Sequence, residues 1–214
     1  MMYILRTMTR ASRRPAAALK SGYHHGDLRR ALIDAALSLV ADGSVADLSL
    51  REVARRAGVT YAAPYHHFAD KSALLAAVAS QGFEQLVAEL ERAAARRTTL
   101  DSELLAMAEA YVAFAMTHPS HYRVMFLPDV KQSPDADELR AVADRSFAML
   151  QQRVARARTD ESERAQQVLA TTVWAALHGL SLLAIDGILL NKFPEPEKMM
   201  RSACRSIVRM VVGE

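Results

Sequence analysis

Few residues in this 214-residue chain have the types and spacing that chemistry needs. Its seven histidines include two adjacent pairs, His24-His25 and His66-His67. Neighbours on a helix point in different directions, so neither pair gives one ion two ligands. His118 and His121 are three apart and share a helix face, but Cys204 is the single cysteine and no HExxH occurs. That is too little for a metal centre, and none is expected. There is no Gly-rich phosphate loop and no G-x-S-x-G elbow, so no enzyme and no cofactor are expected. What remains is a cluster of cations and aromatics between Ser49 and Lys71: Arg51, Arg55, Arg56, Tyr61, Tyr65 and His66. Its chemistry is the binding of a polyanion, not the making of bonds. The charge balance agrees. Residues 1–71 carry 11 Lys+Arg against 6 Asp+Glu, whereas residues 72–214 carry 16 against 18.

The elements that must position this cluster are helical. With 8 Gly and 7 Pro, the chain has too few turn formers for an all-β protein. Apolar residues recur at helical spacing almost throughout. Leu28, Leu32, Ala35, Ala36, Leu39 and Val40 predict a first helix ending near Gly43. Ser49 and Glu52 form a capping-box pair for a short second helix, stopped by Gly58. Thr60 is placed to cap a third, running to about His67, and Asp70 a fourth, running to about Arg97. Further helices are expected near 101–117, 119–127, 136–157, 163–191 and 195–212, giving an all-α chain of about nine helices. Pro64 lacks an N–H and disfavours helical geometry at Ala63, so the third helix should be shortened or distorted.

No uninterrupted apolar run reaches the roughly 20 residues of a membrane span. The nearest, Val173 to Leu190, is interrupted by His178, Ser181 and Asp186. Met1 to Leu5 is apolar ahead of its arginines, the wrong order for a secretory signal. The expectation is a cytoplasmic protein that does not enter a membrane, with residues 1–20 a flexible basic tail.

Two short helices about a tight turn at Gly58, with Val53, Ala54, Ala57 and Val59 as small apolar contacts, have helix-turn-helix spacing. The stretch LSLREVARRAGVTYAAPYHHFADKSALLAAV, Leu48 to Val78, resembles the TetR family of bacterial transcriptional regulators. Val53 to Val59, Tyr65, Phe68 and Lys71 match that family's signature, and Tyr23 to Leu37 looks like its first helix. Downstream, Val173 to Leu180 resembles the Trp-x-x-x-His-Gly element of one ligand-domain subfamily, and His118 to Phe126 also fits. The resemblance implies a homeodomain-like DNA-binding domain over 21–70 and an effector-binding and dimerisation domain over 71–214. The third helix would enter the major groove of double-stranded DNA. Ser49, Arg51, Thr60, Tyr61, Ala62, Tyr65, His66 and Lys71 are then the candidate DNA contacts. Tyr65 has core packing as its alternative, Phe68 is read as a core aromatic, and for Arg55 and Arg56 a solvated face stands level with phosphate contact. Arg10, Arg13, Arg14 and Lys20 could track the backbone or take no part. A cation at Lys71 opposes the dipole of its helix, which a phosphate would offset.

The family likeness also implies a homodimer through the helices near 163–191 and 195–212 and a small-molecule effector. Pocket candidates are Tyr111, Phe114, Met125, Phe126, Phe147, Leu150, Trp174, His178 and Leu182, with Asp186 as a pocket or interface group. Trp174 and His178, four apart, share a face and suit an apolar ligand with one polar handle. The expected function is a repressor released from its operator by a largely apolar effector. A metal-responsive regulator is the alternative, ahead of an all-helical enzyme or interaction module.

Overall fold

A computed structural model describes residues 25–43, 45–128, 130 and 136–213. The basic segment 1–20, with Arg10, Arg13, Arg14 and Lys20, lies outside the described residues, as do Tyr23 and His24. Among the described residues there are nine α-helices and no strand: α1 (His25–Asp42), α2 (Leu50–Ala57), α3 (Lys71–Ala95), α4 (Leu100–Thr117), α5 (Pro119–Met125), α6 (Ala136–Ala157), α7 (Glu163–Ile185), α8 (Ile188–Lys192) and α9 (Pro196–Val212).

The head is built from α1, α2 and the turn that follows. Ser49 is extended and accepts the Glu52 N–H at 3.2 Å, capping α2. Only half of the expected box forms. The Glu52 carboxylate turns to Arg55 instead, with Nε–Oε2 at 2.9 Å, because that cation lies one turn along the same face. Gly58 ends α2 in the left-handed region, φ 71°, with its N–H on Arg55 O and the Val59 N–H on Ala54 O. Val53 and Ala54 face α1 without solvent contact.

The third helix does not form as expected. Residues Ala63–His66 make one turn of 3-10 helix, and Thr60 is not its cap. A helix starting at Thr60 would take its first bond from the N–H of Pro64, which does not exist. The Thr60 carbonyl is met by the Ala63 N–H at 3.0 Å, which sets the tighter repeat. Buried Pro64 and Phe68 anchor the turn beneath.

Asp70 caps α3 through the Ala73 N–H at 2.9 Å. This 25-residue helix is the strut of the molecule, packing on α1 and on α4, α5 and α6. Thr99 and Ser102 form a reciprocal capping box for α4 that the sequence reading passed over. The long helix expected over 163–191 is two pieces. Gly187, at φ 72°, turns the chain between α7 and α8. By length and composition α7 could cross a membrane despite its interspersed polar residues, and 22% of its most apolar 18-residue window is buried within the chain. Thr171, Thr172 and Ser181 return their hydroxyls to carbonyls one turn back, which keeps those groups satisfied on an apolar helix.

Candidate nucleic-acid interface and ligand cavity

The head presents one continuous polar and aromatic face. Tyr61 is 53% exposed and Tyr65 60%, although large aromatics in a folded chain tend to be covered. Thr60, Ala62 and His66 lie exposed beside them. Arg51, from α2, sets its guanidinium 4.7 Å from the Tyr61 ring centroid and so ties helix to turn. Arg29 does the same for Phe68, at 5.5 Å.

The other two arginines of α2 are committed elsewhere. Arg55 pairs with Glu52, whose carboxyl is held below its ordinary range by that hydrogen bond. Arg56 reaches Asp42 at 2.8 Å and Ser38, fastening α2 to the last turns of α1. The Lys71 ammonium donates to the carbonyls of Val45 (2.7 Å) and Ala46 (3.1 Å). The helix dipole pointed to a phosphate as the partner of Lys71, whereas its partners here are main-chain carbonyls of the short 3-10 turn Val45–Asp47.

In the body, a cavity of about 500 Å³ opens between α3, α4, α6 and α7. Its wall is apolar, with Phe83, Leu86, Leu90, Leu104, Met107, Val173, Leu177 and Val208. Of the residues expected from sequence, Tyr111, Met125, Phe126, Phe147, Leu150 and Trp174 line it. Phe114 does not. It is buried with its ring 4.9 Å from that of His118, where α4 hands over to α5. His178 and Leu182 are also absent from the lining.

His178 stands behind the wall, because its ring turns toward α5 and stacks on Tyr122, centroids 5.5 Å apart. Its Nδ1 is 2.8 Å from the Tyr122 hydroxyl, which is 3.0 Å from that of Tyr111. Tyr122 was not among the expected site residues. It sits four before Phe126, and that spacing could have found it. Burial raises the pKa of both tyrosines and lowers that of His178, so all three are neutral near pH 7.

Asp186 is absent from the cavity lining. It pairs with Arg123 and joins the end of α7 to α5. His121, also on α5, meets Gln81 of α3 at 3.2 Å. Below them the two helices touch at Gly82, where an added Cβ would lie 2.7 Å from Met125 Sδ. Arg140, Asp144 and Ser146 of α6 also line the cavity, the first two of them exposed to solvent.

A third surface lies on the C-terminal helices. Val168, Leu183, Ile188, Leu190, Met199 and Met210 are exposed apolar residues of α7, α8 and α9. No other part of the described chain gathers so many.

Known proteins resemble this chain in both its N-terminal and its C-terminal parts. The family model for bacterial regulatory proteins of the tetR family matches residues 32–78. A second, for the tetracyclin repressor-like C-terminal domain, matches residues 104–207. The HTH-type transcriptional regulator BetI of Cronobacter sakazakii is 33% identical over 169 residues, covering 76% of this chain and 78% of that protein. The HTH-type transcriptional activator FasR of Mycolicibacterium smegmatis is 31% identical over 129 residues, 58% of each chain. A solved structure of a protein of unknown function from Rhodococcus sp. RHA1 is 33% identical, with TM-score 0.74 over 90% of this chain and all of that one. The chain, a DNA-binding transcriptional regulator, belongs to the TetR family.

Proposed function

We propose that the chain is a cytoplasmic, homodimeric repressor that leaves its operator when a small, largely apolar molecule fills the body cavity. The observation that carries this reading is the pairing of two features in one chain. An exposed aromatic face lies beside a helix-turn-helix, and a large apolar cavity lies farther along the strut α3, against Phe83, Leu86 and Leu90.

In this reading Tyr61, Tyr65, His66, Thr60 and Ala62 meet the groove and its phosphates, and Arg51 follows the backbone. Ser49 and Lys71 act on DNA at one remove. Ser49 fixes the start of α2, and Lys71 ties the start of α3 to the loop before α2. One short turn supplies little affinity, so two copies must bind together, their reading turns roughly 34–36 Å apart. The exposed apolar face of α7, α8 and α9 suits that pairing, since an unpaired chain would leave it in water. Cavity and head are linked through α3 and α5, both of which pack on α1. A ligand that favours one body shape then changes DNA affinity, and DNA changes ligand affinity by the same factor.

The test is fluorescence anisotropy of the protein against the DNA upstream of its own coding region, with an unrelated duplex of equal length, at two salt concentrations. Tight binding that prefers the upstream DNA, at two chains per duplex, supports the reading. Binding that disappears equally on both duplexes as salt rises rejects sequence-specific regulation at that site.

A further inference from the structure

Outside α6, the polar side-chain groups of the cavity wall are the Tyr111 hydroxyl and, beside it, the Trp174 indole. Behind the wall the hydrogen bonds run on from Tyr111 to Tyr122 and from Tyr122 to His178 Nδ1. Each hydroxyl carries one proton, so the chain has two directions. With the imidazole proton on Nδ1, His178 donates to Tyr122, Tyr122 donates to Tyr111, and the Tyr111 proton is left to point into the cavity. With the proton on Nε2, Tyr111 donates to Tyr122 and Tyr122 to Nδ1, and Tyr111 offers lone pairs to the cavity. The Tyr111 hydroxyl therefore serves an acceptor or a donor.

It does not serve a charge. Burial keeps both phenols and the imidazole neutral. A charged ligand atom seated there would lose its water and meet no opposite charge. Charged lining residues occur on α6 and are exposed to solvent: Arg140 is paired with Asp137 at 2.8 Å and Asp144 lies one turn on. We infer that the cavity takes an uncharged, predominantly apolar molecule whose single oxygen-bearing group, a carbonyl or a hydroxyl, is seated on Tyr111. This rests on reading the cavity as the effector site.

The experiment titrates the full-length protein with three probes that share an alkyl chain: methyl decanoate, decanoate and decylammonium. Binding is followed by the emission of Trp174, the one tryptophan of the chain and part of the cavity wall. The ester is expected to bind at least about tenfold more tightly than either ion. Tyr111→Phe is expected to weaken ester binding about fivefold, the worth of one hydrogen bond. Ester binding no tighter than that of either ion overturns the inference. So does ester binding that survives in Tyr111→Phe and is lost in Arg140→Ala, because the polar group would then sit beside α6. In Tyr122→Phe the Tyr111 hydroxyl remains, so the ester must bind more tightly than in Tyr111→Phe; the reverse order also overturns the assignment. Release of upstream DNA, measured separately, tests the effector reading. An ion that outcompetes the ester and releases DNA overturns the ligand class and leaves that reading standing. An ester that binds as expected without changing DNA affinity does the opposite.

Discussion

At the scale of single residues, Gly58 and Lys71 show how much of the head depends on the main chain. Gly58 sits at φ 71° with open space around its Cα. Gly58→Ala therefore meets no clash, and its cost is that of placing a Cβ in the left-handed region, about 1–2 kcal/mol. Urea unfolding should show that loss, with DNA affinity falling in parallel because the turn carrying Tyr61 follows directly. Lys71→Met removes the bonds to Val45 and Ala46 and should cost about 1–2 kcal/mol of stability. If its effect on DNA is positional, the dependence of binding on salt keeps its slope. A slope reduced by about one unit would instead give Lys71 a phosphate of its own. Residue types at the head were legible in the sequence, including Asp70 as a cap and Phe68 as a core aromatic. The partner of Lys71 was not, because a carbonyl 26 residues away leaves no trace in side-chain identities.

At the scale of elements, what sequence shows best is periodicity and what it shows least is how a helix ends or splits. The bounds of α1 to α6 and the start of α7 follow from apolar spacing, caps and prolines. Periodicity ran through Gly187, since a left-handed residue within an apolar stretch looks like any other small residue. The reading turn shows the opposite case, where Pro64 announced a distortion whose form, a single 3-10 turn, needed the geometry at Thr60. Some cavity residues were legible by helical face, but Phe114 turns toward His118, Leu182 lies off the lining, and the α3 residues Phe83, Leu86 and Leu90 were not among the candidates. The α3–α5 contact yields a prediction of its own. Gly82→Ala forces Met125 to move, and its flexible side chain has the cavity to move into. Ligand affinity should drop several-fold while thermal stability falls by only about 1 kcal/mol.

Burial also gives α5 and α7 a response to acid. His121 and His178 both have folded-state pKa values below their ordinary 6.5, desolvation being the main cause. The unfolded chain therefore binds more protons, so stability is full above 6.5 and declines as pH falls toward the folded values. Chemical denaturation between pH 5 and pH 8, about the range in which histidine titrates, should show that slope. His178→Gln should reduce it and leave the His121 share.

At the scale of the whole molecule, the proposed pairing of two chains rests on the exposed apolar face of α7 to α9. Val168→Glu together with Met210→Glu puts two carboxylates into that face. The double variant should sediment as a monomer with an unchanged helical spectrum, and its DNA affinity should fall by orders of magnitude as the second half-site is lost. An unchanged sedimentation coefficient would place the partner surface elsewhere.

The brevity of the reading turn has a consequence for the genome that such a protein must search. In the proposed reading a turn of four residues, one a buried proline, brings few side chains to a groove even with Thr60 to Ala62 before it, so one head extracts little information from one half-site. The missing information must come from arithmetic: two half-sites, read at a fixed separation, multiply their separate odds. An address composed in this way is written as much in the distance between two short words as in their letters. Insertion of one base pair between them should then be as damaging as a misspelling within either.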